Sequence, residues 1–237
     1  MRRVSVVVPA LNEEEPIANV VRECWATKIP MEVIVVDNGS TDQTAERARD
    51  GGAKVVTEPR HGYGRACLAG VRAASVQSEI IAFLDGDGSD CPEFMAQLVD
   101  PIAAGKYDFV IGSRTRGRRE PGSMNLQQIL SGRLAGWLIS KMYGVRYTDM
   151  CPFRAIRRDT LQQLSMKEET YGWNIEMQMK AARAGLRTLE IPVDHRCRTG
   201  GVSKVSGTLR GTFLAGARIV ATVFRLASER SGKAAGA

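Results

Sequence analysis

The chain has 237 residues, of which 43% are hydrophobic and 25% are charged, a composition that excludes a disordered or fibrous protein. Its length is sufficient for one domain that buries a proper core. The net charge of +7 is unevenly distributed, because residues 1–113 carry 11 Lys and Arg against 17 Asp and Glu, whereas residues 114–237 carry 22 against 9. The acidic half therefore suits a cation such as a metal ion, and the basic half suits an anionic partner.

Neither export nor a membrane span is predicted from the sequence. The apolar run at 4–8 is too short for a signal peptide, and the run at 213–224 is interrupted by Arg218 and falls short of the roughly 20 residues that a spanning helix needs. The five cysteines form no C-x-x-C pair, so disulfides and a zinc ribbon are not expected. These features predict a cytoplasmic protein with free thiols.

Short runs rich in β-branched residues alternate with helical patterns in the first half of the chain. The runs lie at 4–8, 33–36, 53–56, 80–84 and 109–111. Helices are predicted at 17–25, from about 41 to 50, at 65–74 and from Pro92 onward. We expect Asn12 and Glu15 to cap the first helix, and Ser40 or Thr41 to cap the second. This alternation predicts an α/β fold with a doubly wound sheet.

After Ser113 the chain becomes basic. A Gly-rich loop containing Arg114 leads into a helix predicted at 126–142. The later predicted elements are a strand at 153–156, helices near 160 and at 173–184, a strand at 189–193, a loop at 194–207, a helix at 208–227 and a disordered tail at 231–237.

Polar residues follow several predicted strands, at the edge of an open α/β sheet where ligands bind. They lie at 9–13, 37–42, 85–88 and 112–114. Asp85 and Asp87 are two residues apart in an extended segment, so their carboxylates point the same way and repel unless a cation lies between them. Mg²⁺ or Mn²⁺ suits such a pair together with substrate phosphate oxygens. The alternative interpretation is an acidic turn without a metal.

Common nucleotide-binding and calcium-binding motifs are missing from the sequence. Residues 9–13 contain no glycine, so the G-x-G-x-x-G turn of nicotinamide-binding folds is absent, and no P-loop occurs. A calcium EF-hand also fails, because Asp90 stands where that loop needs glycine. A bound nucleotide would therefore be held by side chains and a metal.

Six segments, in order, carry a resemblance to a known family. They are Pro9-Ala10-Leu11-Asn12-Glu13, Asp37-Asn38-Gly39-Ser40-Thr41-Asp42, Leu84-Asp85-Gly86-Asp87, Gly112-Ser113-Arg114, Thr148-Asp149 with Phe153-Arg154, and Arg198 through Ser203-Lys204. Over residues 3–207 the chain resembles glycosyltransferases of family 2 with the GT-A fold, and among them the polyprenyl-phosphate hexose synthases such as dolichyl-phosphate mannose synthase.

The resemblance implies a Rossmann-like, mostly parallel sheet with helices on both faces. It implies a single GT-A domain at 1–207, with a nucleotide-sugar-binding half at 1–113 and an acceptor half at 114–207. The implied donor is a nucleotide diphosphate sugar of the GDP-mannose or UDP-glucose type, and the implied cofactor is Mg²⁺ or Mn²⁺.

The resemblance also implies roles for individual residues. The nucleotide sugar would contact Pro9, Ala10, Asn12, Glu13, Asp37, Asp85, Gly86, Asp87, Arg198, Ser203 and Lys204, with Asp85 and Asp87 as the metal ligands. Asp87 and Arg114 would act at the reaction centre, where Arg114 would meet phosphate. Arg198, Ser203 and Lys204 would belong to a loop that closes over the donor.

The acceptor side is assigned to Arg114, Arg133, Asp149 and Arg154. Asp149 is expected to orient the acceptor loop, and Arg133 belongs to a basic set that either binds the acceptor or forms a solvated face. Glu176 is a candidate catalytic base for an acceptor hydroxyl, but the first turn of a helix favours glutamate without any such role. A phosphate acceptor, already ionised, needs no base. Structural roles are expected for His61 and His195.

Residues 208–230 are predicted to form an amphipathic helix that either touches the inner face of the membrane or packs on the core. The predicted function is metal-dependent, inverting transfer of a hexose to a polyprenyl phosphate. The alternatives are transfer to a soluble hydroxyl acceptor, nucleotidyl transfer and, from another class, a nucleic-acid-binding module. An aromatic content of 6% provides few aromatic side chains on which the bases of a nucleic acid could stack, so no nucleic-acid partner is expected.

Overall fold

The computed structural model describes residues 3–199. The strands are β1 Val4–Ala10, β2 Glu32–Asp37, β3 Lys54–Thr57, β4 Ile80–Phe83, β5 Phe109–Ser113, β6 Arg154–Arg157 and β7 Thr188–Pro192. The helices are α1 Ile17–Ala26, α2 Thr44–Asp50, α3 Tyr63–Ala73, α4 Met95–Ala103, α5 Leu126–Tyr143, α6 Arg158–Leu164 and α7 Trp173–Arg183. A short 3₁₀ turn, Pro92–Phe94, leads into α4.

The seven strands form one sheet in the order β3-β2-β1-β4-β6-β5-β7. Strands β1 to β4 pair in parallel, as do β5 and β7, whereas β6 runs antiparallel between β4 and β5. Every residue of β1, β4 and β5 is buried, as expected of strands covered on both faces. The predicted doubly wound, mostly parallel α/β sheet of the GT-A type is confirmed.

Helix α3 packs closely against the sheet because its last turns contain a glycine. A Cβ atom at Gly70 would overlap the side chain of Val7 on β1. The close packing fixes the other end of α3, where Tyr63 begins the helix, above the carboxyl ends of the strands. The first turn of α3 therefore forms part of the site described below.

The two predicted helix caps are wrong. Helix α1 follows Pro16 without a side-chain cap, and Asn12 instead adopts a φ of 51° and accepts a hydrogen bond from the Thr41 amide at 2.8 Å. Helix α2 begins only at Thr44, whose amide donates to Asp42 Oδ1 at 3.0 Å. The polar side chains after β1 and β2 thus form hydrogen bonds between these two loops. They make these tertiary contacts instead of capping the helices that follow.

Several predictions lie outside the described residues. They concern the helix at 208–230, the tail at 231–237, and Ser203 and Lys204 in the loop. Among residues 3–199, no helix combines the length and the hydropathy that a membrane span requires. The division at residues 113 and 207 stays a prediction.

Candidate active site

A cleft of about 410 Å³ opens at the carboxyl ends of the central strands. The predicted site residues that line it are Pro9, Ala10, Glu13, Asp85, Gly86, Asp87, Arg114 and Arg198. Pro9 and Ala10 end β1, the acidic pair follows β4, and Arg114 directly follows β5. Parallel strands place these carboxyl ends at one edge of the sheet, so residues far apart in sequence meet there.

Two carboxylates of the cleft, Asp85 and Asp87, lie near a third, Asp90, that is buried next to the cleft lining. Asp85 accepts a hydrogen bond from the Tyr63 hydroxyl at 2.9 Å, and its amide donates to Asp90 Oδ2 at 3.0 Å. Burial raises the pKa of Asp85 well above its usual range, and the negative charges of Asp90 and Asp87 raise it further. Asp90 is only 2% exposed, and its Oδ1 atom has no hydrogen-bond partner among the described residues. This concentration of buried oxygen ligands fits a hard divalent cation.

Asp87 lies on the open side of this group. Its Oδ1 atom accepts hydrogen bonds from the amide and hydroxyl of Ser89, at 3.0 and 2.6 Å, and its Oδ2 atom lies 3.9 Å from Arg198 Nη2. Within residues 3–199, no group of three or more His, Cys, Asp or Glu side chains is arranged to hold a metal ion by itself. A cation here would therefore need further ligands from a substrate, which is usual for Mg²⁺ at phosphates.

Arg114 is held in the cleft by a buried carboxylate. Its Nε and Nη2 atoms donate to the two oxygens of Asp149, both at 2.8 Å, and its amide donates to Asp149 Oδ2 at 2.9 Å. Burial by itself would raise the pKa of Asp149, but the Arg114 guanidinium outweighs it and holds that pKa below its usual value. The side chain of Asp149 is 1% exposed and does not line the cleft. It positions Arg114, and the predicted direct contact with an acceptor is corrected.

The segment after β7 ties the acidic loop to the basic one. The amides of His195, Arg196 and Thr199 donate to the carbonyl oxygens of Arg118, Ser89 and Asp87, at 2.9, 2.9 and 3.0 Å. Arg198 pairs with Glu13 at 2.9 Å. The part of the predicted closing loop that the structure describes thus runs along the mouth of the cleft.

The structure contradicts the catalytic role predicted for Glu176. Its side chain is fully buried, pairs with Lys180 at 3.0 Å and accepts hydrogen bonds from the amides of Lys167 and Glu168. Glu176 does not line the cleft, so it holds α7 against the preceding loop and is not placed to meet an acceptor.

Two predicted acceptor residues also lie elsewhere. Arg154 is fully buried on β6, where it donates to the carbonyl oxygens of Cys151 and Asn174 and lies over the ring of Phe109. Arg133 is exposed on α5, outside the cleft.

Two residues predicted to bind the nucleotide, Asn12 and Asp37, do not line the cleft either. Asp37 accepts a hydrogen bond from the Ser40 amide at 3.0 Å.

Several residues of the cleft wall were not predicted from the sequence. They are His61, Tyr63, Ser123, Asn125, Gln128, Tyr171 and His195. Asn38, which also lines the cleft, belongs to the polar run at 37–42 noted in the sequence. Burial, and then the positive charge of Arg114, lower the pKa of His195 to about 4, so this histidine is neutral at pH 7. His195 lies three residues after the end of β7, and this position after a strand is the signal that could have found it. Both histidines line the cleft, and the structural roles expected for them stay predictions.

Comparison with known proteins identifies the family. The profile described as Glycosyl transferase family 2 matches residues 5–165. The chain belongs to glycosyltransferase family 2. An uncharacterized glycosyltransferase of Mycobacterium tuberculosis is 39% identical over 218 residues, 90% of this chain and 94% of the relative.

Two further family 2 relatives carry more specific names. The undecaprenyl-phosphate mannosyltransferase of Micrococcus luteus is 30% identical and covers 88% of this chain and 90% of its own. The dolichyl-phosphate hexose transferase of Haloferax volcanii is 33% identical over 83% of this chain and 84% of its own.

Solved structures of the same architecture include glucosyl-3-phosphoglycerate synthase from Mycobacterium tuberculosis. Its complex with Mn²⁺, UDP-glucose and phosphoglyceric acid superposes with a TM-score of 0.77, at 26% identity, over 95% of this glycosyltransferase and 79% of that chain. A second crystal structure of the same synthase superposes with a TM-score of 0.73, over 95% of this chain and 80% of its own.

Proposed function

We propose that this family 2 enzyme transfers a hexose, with inversion, from a nucleotide diphosphate sugar to a polyprenyl phosphate at the cytoplasmic leaflet of a membrane. The observation that carries the proposal is Arg114. It offers a fixed positive charge in the cleft beside the acidic group, while Glu176, the predicted base for a hydroxyl acceptor, is buried elsewhere. The polyprenyl-phosphate sugar transferases among the relatives support the same acceptor class.

The donor would lie along the ends of β1 and β4. Pro9, Ala10 and Glu13 line that side of the cleft, and UDP-glucose in the related synthase structure supports a nucleotide diphosphate sugar. Either a GDP-mannose or a UDP-glucose type of donor agrees with these observations.

A divalent cation is the proposed cofactor, as the Mn²⁺ of the related structures supports. Asp85 and Asp87 would hold it, and when bound it would neutralise the diphosphate that leaves. Burial raises the pKa of Asp90 to about 7 and that of Asp85 well above its usual range, so a bound cation would offset the cost of keeping these carboxylates ionised.

The residues of the chain would act mainly by positioning. Arg114 would hold an acceptor phosphate oxygen in line with the anomeric carbon, because Asp149 fixes its guanidinium in one orientation. The bond from the anomeric carbon to the diphosphate would break as the bond to the acceptor oxygen forms, and the diphosphate would leave with the electron pair. An ionised phosphate loses no proton in this step, so no base is required.

A second candidate function is transfer to a soluble hydroxyl acceptor. The related synthase structures contain phosphoglyceric acid, and the imidazole of His195 lines the cleft, where a hydroxyl acceptor could meet it, although its lowered pKa makes it a weak base. In that case His195, and not Glu176, would be the base.

An acceptor panel separates the two functions. The protein with Mn²⁺ is incubated with GDP-mannose or UDP-glucose and either a polyprenyl phosphate or 3-phosphoglycerate, and the products are identified by mass spectrometry. We expect a lipid-linked sugar and a free nucleoside diphosphate. A sugar on phosphoglycerate alone would support the second function, and a nucleoside monophosphate with a sugar-1-phosphate-linked product would indicate nucleotidyl transfer.

Replacing Tyr63 with phenylalanine should weaken metal binding. The variant removes only the hydroxyl that orients the Asp85 carboxylate, and loss of such an outer contact commonly costs about 10- to 100-fold in metal affinity. Titration with Mn²⁺, followed by electron paramagnetic resonance, measures the affinity. Tyr107→Phe, on the half-buried tyrosine before β5, is the matched control and should bind Mn²⁺ as wild type does. Equal affinities for all three proteins would contradict the assignment of Asp85.

A further inference from the structure

Helix α5 presents large apolar side chains to solvent along one side. We call Leu126, Leu130, Leu134 and Trp137 the outer stripe; they are 69, 54, 55 and 56% exposed. At 100° per residue these four positions fall within an arc of about 80°. Soluble helices usually turn such a face inward, so four large exposed side chains in one line indicate a contact surface.

The opposite side of α5 is already packed. Its buried residues are Gly132, Ala135, Gly136 and Ile139. A Cβ atom at Gly136 would overlap the carbonyl oxygen of Tyr147, so the backbone of α5 lies directly against that segment. The helix therefore cannot rotate to bury the outer stripe, and something outside residues 3–199 must cover it if it is covered at all.

The charges around the stripe favour an anionic partner. Arg133 and Lys141 are exposed within the same side of α5, and residues 121–148 contain no Asp or Glu at all. Leucine and tryptophan interleaved with cations, without any carboxylate, match the boundary between anionic headgroups and acyl chains. Tryptophan in particular is favoured at that depth.

The outer stripe begins beside the cleft. Asn125 caps α5 and lines the cleft together with Gln128, and Leu126 lies between them in the first turn. A surface resting on the stripe would therefore adjoin the cleft mouth, where a lipid-linked acceptor has to enter.

We propose that the outer stripe of α5 is the surface by which this protein docks on anionic membranes. The inference deepens the proposed function and rests on it for the identity of the acceptor. It places the membrane contact on α5, whereas the sequence had suggested a membrane contact only at residues 208–230. Leucines of the stripe would lie among the acyl chains, and Arg133 and Lys141 among the headgroups.

Vesicle binding by the full-length chain tests the proposal. Co-sedimentation uses phosphatidylcholine vesicles with about one quarter phosphatidylglycerol, so that both apolar and electrostatic contacts are available. We expect the double variant Leu130→Glu/Leu134→Glu to bind at least about tenfold more weakly, because two buried apolar contacts are replaced by charges that the anionic surface repels. Val76→Glu is the matched control and should bind as wild type does, since Val76 is 90% exposed but precedes the amino end of β4, whereas the outer stripe begins beside the carboxyl ends of the strands.

Other occupants of the stripe give different results. If the double variant binds vesicles as wild type does, the proposal is overturned. Loss of a dimer in sedimentation velocity, with vesicle binding unchanged, would assign the stripe to a second copy. A lower melting temperature with unchanged vesicle binding would mean that the remaining segment of this chain covers it.

Activity separates this inference from the proposed function. Transfer to a short, water-soluble polyprenyl phosphate should be the same in the double variant and in wild type, whereas transfer to a long-chain acceptor in vesicles should fall with binding. Stripe-dependent vesicle binding without transfer to any polyprenyl phosphate would overturn the function and leave the docking surface. If wild type transfers sugar to the soluble polyprenyl phosphate but binds no vesicles, the docking surface is overturned and the proposed function stands.

Discussion

Asp87→Ala should abolish sugar transfer with every donor, lowering kcat by at least about 10³-fold. The variant removes the carboxylate that we propose faces the metal, on the open side of the acidic group, so the charge of the departing diphosphate would be left uncompensated in a cleft of low dielectric. Release of the nucleoside diphosphate at saturating donor measures the effect. Activity within tenfold of wild type would contradict the metal assignment.

Three further measurements test whether charge, and not loop geometry, accounts for that loss. Asp87→Asn keeps an oxygen that can accept from the amide and hydroxyl of Ser89 and should be almost as inactive as the alanine variant. Asp159→Asn, on an exposed aspartate of α6 paired with Arg157, should retain wild-type activity. Chelation by EDTA should abolish the activity of wild type reversibly, with recovery on addition of Mn²⁺.

Most of the fold could be predicted from local patterns. Runs such as 33–36, all β-branched, are typical of a strand covered on both faces, and the glycine pair at 51–52 marks the end of α2. The antiparallel direction of β6 could not be predicted from its own residues. That direction follows from its place between β4 and β5, which is a tertiary property.

The parts of the site that were predictable are those that directly follow a strand. Asp85, Asp87 and Arg114 come within four residues of the ends of β4 and β5, and the sheet brings them together. Tyr63 belongs to a helix that reaches the cleft only because α3 packs over β1, so no local pattern marks it.

Glu176 shows that a pattern visible in the sequence does not reveal whether a side chain is exposed or buried. Its position in the first turn of α7 and its distance of four residues from Lys180 are visible in the sequence, but such a pair is usually exposed. Whether that side of the helix meets solvent or the core is decided by the loop at 167–168, whose amides donate to the carboxylate.

Asp149→Asn should destabilise the protein and also impair transfer. The substitution leaves the Arg114 guanidinium, 13% exposed, without its countercharge, and breaking a buried pair in this way costs about 3–5 kcal/mol of unfolding free energy. Since Asp149 fixes the orientation of Arg114, we expect kcat to fall by about 10²-fold at a temperature where the variant is folded. Urea denaturation and steady-state kinetics measure the two effects.

Glu176→Gln is the matched comparison, because it breaks a second buried pair that lies outside the cleft. It should cost a similar free energy of unfolding while kcat stays within about tenfold, since a phosphate acceptor needs no base.

The stability difference between wild type and Asp149→Asn should also depend on pH. Arg114 holds the pKa of Asp149 below its ordinary value of 3.8, so the carboxylate contributes stability above that pH, and the contribution is lost as the pH falls through the lower, folded value. A constant difference down to about pH 2, or an equal loss of kcat in both variants, would show that Asp149 does not act through its charge on Arg114.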